Sequence, residues 1–327
     1  MKTIVTFGEV MLRLQSPDYK RIQQAGSFDV YYGGCEANVA VALSQMGEKA
    51  AFVTKLPENP LGDACRNEIR KWGVDTSMIV RGAGRMGIYF TEKGASQRPS
   101  SILYDRSSSA FSLASPENFD FDRIFNDAEW FHFSGITPAL SESAREITLT
   151  AIRKAQEKGL KVSCDFNFRS LLWSKQQARK TMSELIREID LLIINENQAA
   201  EVLGIREEDY EKTSEKIADS FGIKKVALTK RRTDSGEVNR FSAMLRCGPE
   251  TAWSKEYSIF MIDKIGGGDA FSAGLIYALC HGENPENAVE FAAASACLKH
   301  TIEGDFTVAG VEEIRQLMRN GSARFVR

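Results

Sequence analysis

Three consecutive glycines, Gly266-Gly267-Gly268, run into Asp269 and then into a helical pattern from Ala270 to Cys280. Glycines without a Cβ let backbone N–H groups come close to an anion, and the amino end of the following helix turns its positive dipole toward the same point. A carboxylate beside such a hole can take a proton from an alcohol while the hole holds a transferring phosphoryl group. The plainer reading of Asp269 is an N-cap or first-turn carboxylate in a glycine-rich turn. A second constellation, Gly33-Gly34-Cys35-Glu36-Ala37-Asn38, enters another helical pattern. Its glycines admit a ligand close to the main chain, and Asn38 offers both a donor and an acceptor to sugar hydroxyls. Its plain alternative is a glycine turn with a solvated or capping Asn.

The elements that must carry these groups are legible in outline. From Glu36 onward, apolar runs rich in β-branched residues alternate with helical patterns, which predicts an α/β fold with a doubly wound, mostly parallel sheet flanked by helices. Strands are expected at Lys2 to Gly8, Ala50 to Lys55, Glu129 to Ser134, Lys161 to Phe166, Asp190 to Asn195 and Lys224 to Thr229. Helices are expected at Glu36 to Met46, Leu61 to Trp72, Ser141 to Lys158, around Gln176 to Arg187, and at Asp269 to Cys280, Pro285 to His300 and Val311 to Arg319. The strand ends at Asp165, Asn195 and Thr229 are polar, and the carboxyl ends of parallel strands form a ligand crevice. Two segments, about 12–32 and 87–111, break the alternation with short extended stretches and are expected to pair as a small β-sheet lid on a single α/β domain spanning 1–327. A lid excludes water that would compete as phosphoryl acceptor.

Composition sets the limits. A chain of 327 residues can bury about three quarters of its unfolded surface, and 42 Lys+Arg against 44 Asp+Glu leaves a formal charge of −2. That balance gives no global pull toward nucleic acid or an anionic membrane, so an anionic ligand needs local groups. The six cysteines show neither C-x-x-C nor Cys/His metal spacing, as expected of reduced thiols in a cytoplasmic protein. No apolar run reaches the ~18 residues of a membrane span, and the first residues read as a strand rather than a signal peptide. The run Gly82-Ala83-Gly84-Arg85-Met86-Gly87 fits G-x-G-x-x-G, but strand-like Ile88-Tyr89-Phe90-Thr91 follows it where a dinucleotide site needs a helix.

Gly33-Gly34 with Asn38, followed at a distance by Gly266-Gly267-Gly268-Asp269, resembles the two signatures of the ribokinase-like (PfkB) sugar kinases, and the resemblance covers nearly the whole chain. Gly8 to Leu14, Thr54 to Gly62, Tyr104-Asp105-Arg106, Asp165 to Arg169 and Lys299 to Phe306 resemble the 2-keto-3-deoxygluconate kinase branch. The resemblance implies a ribokinase-like fold with a β lid, ATP with Mg²⁺, and transfer to a primary alcohol. It implies Asp269 as the base, the backbone of Gly266, Gly267 and Gly268 as the anion hole, and sugar-acid contacts from Gly33, Gly34, Asn38, Tyr89, Tyr104, Arg106, Ile136, Arg169 and Asp305. Asn195, Thr229, Lys230, Gly266 and Gly268 fall on the nucleotide side, with no direct side-chain ligand to the metal. A homo-oligomer is expected.

The residues support the narrowing independently. An aldonate carries a carboxylate that is costly to desolvate without a cation, and Arg106 and Arg169 offer planar donor forks. On the nucleotide side the chain departs from the family. Asn195-Glu196-Asn197-Gln198 has an amide where a carboxylate is common, and Thr229-Lys230-Arg231 replaces Thr-x-Gly. Lys264 also stands where Thr is usual. Lys230 and Arg231 could meet phosphate or lie in a solvated loop. The expected activity is phosphorylation of 2-keto-3-deoxygluconate at its 6-hydroxyl. Fructose, tagatose or another keto-deoxy sugar acid are alternative substrates, and a non-catalytic sugar-acid binding or regulatory protein is the alternative of another class.

Overall fold

The computed structural model describes residues 2–233 and 238–321. In chain order its strands are β1 (Thr3–Phe7), β2 (Met11–Gln15), β3 (Asp29–Gly33), β4 (Ala50–Val53), β5 (Lys55–Pro57), β6 (Val80–Gly82), β7 (Ile88–Glu92) and β8 (Ser101–Asp105). They continue with β9 (Ala128–Ser134), β10 (Lys161–Asp165), β11 (Leu191–Asn195), β12 (Lys225–Thr233), β13 (Val238–Cys247), β14 (Glu250–Trp253) and β15 (Tyr257–Phe260). The main sheet runs β14-β13-β12-β11-β10-β9-β1-β4, with β15 also paired to β13. It is parallel from β4 to β12 and antiparallel beyond.

Strand side chains alternate between two apolar layers, which is why helices cover both faces. On one face Ile4, Phe52, Trp130, Ile193 and Leu245 pack against Val39, Leu43, Phe271, Leu275 and Ala292 of the helices Cys35–Gln45, Gly267–Cys280 and Pro285–Lys299. On the other, Val5, Phe131, Val162, Leu192 and Val226 meet Ile147, Met182 and Ile217 of the helices Glu142–Glu157, Lys175–Leu185 and Tyr210–Phe221. Gly274 and the alanines of Pro285–Lys299 let two helices approach closely: a Cβ on Gly274 would lie 3.0 Å from the Cα of Ala292. That packing fixes the helix whose first turn carries Asp269. Among the described residues no helix is long and apolar enough to cross a membrane.

The two irregular segments do form a separate sheet, β3-β2-β7-β8. The G-x-G-x-x-G stretch lies between β6 and β7, with no helix after it. The antiparallel strands β13 to β15 and the helix Tyr210–Phe221 were not foreseen. Their signals are the Gly248-Pro249 turn between β13 and β14, and the N-cap Asp209, whose side chain accepts from the Lys212 N–H.

Candidate active site

The helix Gly267–Cys280 begins two residues before Asp269, capped by Gly266 in the left-handed region at φ 85°. A side chain there would be strained, and a Cβ would run into the carbonyl oxygen of Asp305. Asp269 is 7% exposed, and its hydrogen bonds leave its own helix rather than capping it. Its Oδ2 accepts from the Asn38 Nδ2, 2.6 Å away, and the Cys35 thiol donates to it as well. Asn38 Oδ1 in turn accepts from the Gly34 N–H at 3.3 Å, so the two glycine constellations meet through one amide.

Helix Cys35–Gln45 is pinned at its start. The buried Glu36 carboxylate accepts from the Ser134 N–H at 2.8 Å and the Thr137 hydroxyl at 2.7 Å, while the Thr6 hydroxyl donates to the Glu36 carbonyl at 2.8 Å. Burial pushes the Glu36 carboxyl up to about 7. Burial also raises Asp269, opposed by its hydrogen bonds from Asn38 and Cys35 and by the charge of Arg169. Asp165, at the end of β10, is raised to about 7 by burial and by the charge on Asp269. A carboxylate held above its usual range is a better proton acceptor near neutral pH.

A cleft of about 730 Å³ opens along the carboxyl ends of β9 to β12 and beneath the small sheet. It is within the size range of small-molecule sites. It brings together every expected site residue except Gly267 and Lys230. The amine of Lys230 instead lies over the rings of Tyr210 and Trp253, 5.6 and 6.0 Å from their centroids. Gly267 faces His300. Gly268 has nothing within 4 Å of the place a Cβ would occupy, so its backbone borders open space.

Several expected sugar contacts are already engaged. The Asp305 carboxylate accepts from the Tyr89 hydroxyl and, at 2.9 Å, from Arg13 Nη1. Arg13, 2% exposed, also pairs with Asp263 at 2.8 Å and donates to Thr91 and Gln15. Arg106 donates to Glu9 from Nε at 3.0 Å and from Nη2, and Ser109 donates to the other oxygen of Glu9. Arg169 differs: among the described residues it has no ion pair, and it lines the cleft within electrostatic reach of Asp165 and Asp269. From the sequence Asp165 was only a polar strand end and Arg231 a cation open to phosphate or solvent; Glu9, Arg13, Cys35 and His300 were assigned nothing. Their partners are distant in the chain, so no local spacing marks them.

On the side expected to take the nucleotide, Asn195 and Gln198 close on each other as a capping box. Asn195 Oδ1 accepts from the Gln198 N–H at 2.9 Å, and Gln198 Oε1 from the Asn195 N–H at 3.3 Å. Thr229 pairs with Asn195 across β11 and β12. The cleft thus offers backbone donors and cations to phosphate at its centre. The acidic oxygens of Asp165 and Glu196 in its wall suit a hard cation that keeps most of its waters.

Residues 1–307 match the pfkB family carbohydrate kinase. A 2-dehydro-3-deoxygalactonokinase of Haloferax volcanii is 37% identical over 320 residues, 98% of each chain. A 5-dehydro-2-deoxygluconokinase of Bacillus subtilis is 29% identical, over 96% of this chain and 95% of its own. The crystal structure of a 2-dehydro-3-deoxygluconokinase from Thermotoga maritima superposes with a TM-score of 0.96 at 49% identity, covering 98% of both chains. With the glycine hole, the buried Asp269 and the Asn38 bridge in one cleft, this chain belongs to the pfkB family of carbohydrate kinases and is a sugar kinase.

Proposed function

We propose that the protein transfers the γ-phosphoryl group of ATP to the 6-hydroxyl of 2-keto-3-deoxygluconate, giving 2-keto-3-deoxy-6-phosphogluconate and ADP. The observation that carries this reading is Arg169, a cation without an internal ion pair among the described residues, beside the buried Asp269 in the same cleft. A sugar acid brings the carboxylate that Arg169 lacks, whereas a neutral ketose leaves the guanidinium uncompensated. Relatives named for 2-dehydro-3-deoxy sugar acids support the same class of substrate.

Asn38 and Cys35 orient the Asp269 carboxylate. It takes the proton of the 6-hydroxyl as that oxygen forms a bond to the γ-phosphorus and the bond to the bridging oxygen of ADP breaks. Backbone N–H groups of Gly266 to Gly268 and the amino end of the helix receive charge on the phosphoryl oxygens. Mg²⁺ bound with ATP would neutralise phosphate charge, held by phosphate oxygens and by waters hydrogen-bonded to Asp165 and Glu196. The small sheet acts as the lid, with Tyr104 and Ile102 of β8 over the sugar end.

Steady-state ADP formation across a panel tests this: 2-keto-3-deoxygluconate, its galactonate epimer, fructose, tagatose and ribose. The keto-deoxy acids should have the highest kcat/KM. The 37% identical relative makes the galactonate epimer the strongest competitor. In Arg169→Met the acid-to-neutral ratio of kcat/KM should fall about ten- to 150-fold, the worth of a hydrogen bond to a charged group. A constant ratio, or preference for a neutral ketose, rejects the sugar-acid reading; sugar binding without ADP release favours a binding protein.

A further inference from the structure

Strand β12 runs on past Thr229, paired with β13 as far as Thr233, so its side chains alternate. Thr229, Arg231 and Thr233 line the cleft; Lys230 does not. Arg231 is open to the cleft although the body of the molecule surrounds it, and its guanidinium lies 5.8 Å from the centroid of the Phe241 ring. No carboxylate pairs with it among the described residues. Among the described residues its polar contact is from Nη2 to the Nε2 of His300, 3.0 Å away.

Its two hydrogen bonds fix the state of that imidazole. His300 Nδ1 is 2.9 Å from the carbonyl oxygen of Asp263, which only accepts, so Nδ1 carries a proton. Arg231 only donates, so Nε2 must be the unprotonated, accepting nitrogen. Burial and the adjacent Arg231 lower His300 to about 4, in accord with a neutral ring. The same Nε2 lies where a Cβ on Gly267 would fall. One imidazole edge therefore touches the middle of the glycine run and aims a guanidinium beside it. Gln198, where a carboxylate is common, is neutral and tied to Asn195. The exposed Lys264 adds a second cation to the cleft wall.

We propose that Arg231, aimed by His300, grips the terminal phosphates of the nucleotide, so that the site ranks its ligands by phosphate count. A guanidinium fork matches phosphate oxygens in pairs, and an uncharged imidazole directs it without neutralising it. This assignment rests on the reading that the cleft takes ATP, but not on which sugar it takes. His300 is a positioning residue; Arg231 is the group in contact with the nucleotide.

Calorimetric titration without sugar, at fixed Mg²⁺, of AMP-PNP, ADP, AMP and adenosine into the intact protein tests it. Arg231→Gln should weaken AMP-PNP and ADP about ten- to 150-fold, with adenosine changed by no more than about twofold. Lys230→Met removes an equal charge from the neighbouring residue and should move every ligand by less than about threefold. His300→Asn should weaken the same two ligands by a smaller factor, and adding it to Arg231→Gln should cost nothing more. The proposal is overturned if Arg231→Gln leaves the ratio of AMP-PNP to adenosine affinity unchanged, or if Lys230→Met matches it. A protein that shows this ladder yet phosphorylates no sugar acid keeps the Arg231 assignment and loses the substrate; one that binds no nucleotide at all loses both.

Discussion

At the end of the cleft proposed for the sugar, Glu9 is shared by Arg106 and Ser109, and Asp305 by Arg13 and Tyr89, so buried charges meet their counter-charges within the chain. At the end proposed for the nucleotide, Arg231 leans on an uncharged imidazole, and Lys264 has no ion pair among the described residues. The first arrangement fixes shape: side chains already paired hold their places when a small polar ligand arrives. The second leaves positive charge for a polyanion to complete. Arg169, at the border, belongs with the second kind, which is why it and not Arg106 is the better partner for a substrate carboxylate.

The comparison breaks most visibly at Arg13. Arg13→Met leaves Asp263 and Asp305 buried without their cation, and loss of one partner of a buried pair costs about 3–5 kcal/mol. Arg231→Met, at the open end, should stay within about 0.5 kcal/mol. Denaturant midpoints for the two variants measure the contrast, and equal losses would show that the ends do not differ.

Next in size is Asp269, the proposed base. Asp269→Asn keeps an acceptor for Asn38 but removes the basic oxygen, so turnover should fall by about 10² or more while sugar affinity is retained. Because burial raises the Asp269 carboxyl, turnover in the unmutated protein should fall as pH drops through that raised pKa. The charge on Asp269 is one cause of the raised Asp165 carboxyl, so Asp269→Asn should also bring Asp165 down, read as the titration of that carboxyl by NMR. Near-normal turnover in Asp269→Asn, or an Asp165 titration unmoved by that substitution, would contradict this picture.

The smallest effect is at Gln198. Gln198→Glu keeps the capping box with Asn195 and adds a carboxylate in the first turn of a helix, which should raise stability by about 0.3–1 kcal/mol. A lower unfolding midpoint would mean the side chain is not in the box.

That Gly266 to Asp269 and Gly33 to Asn38 open helices onto one cleft was readable, because residue type and short spacing mark both. The polar ends of β10, β11 and β12 were readable because parallel strands expose them together. Arg13 was not: it sits in an apolar strand, where an arginine signals nothing by itself, and its acids lie 250 and 292 positions away. Arg231 showed as a charge but not as a direction. Only the register of β12 on β13 separates it from Lys230, and β13 itself was missed.

Arg13 lies in β2 of the small sheet, while Asp263 stands just before the glycine run and the carbonyl of Asp305 lies against Gly266. The small sheet and the glycine run are thus tied into one unit. A chimera that took residues 11–33 from one relative and the carboxyl-terminal third from another would preserve Arg13's bonds only if both parents supply the matching acids. Exchanging substrate preference between relatives by grafting the small sheet therefore requires Arg13, Tyr89, Asp263 and Asp305 to travel together, because a partial graft strands a charge in the interior before it alters any contact with sugar.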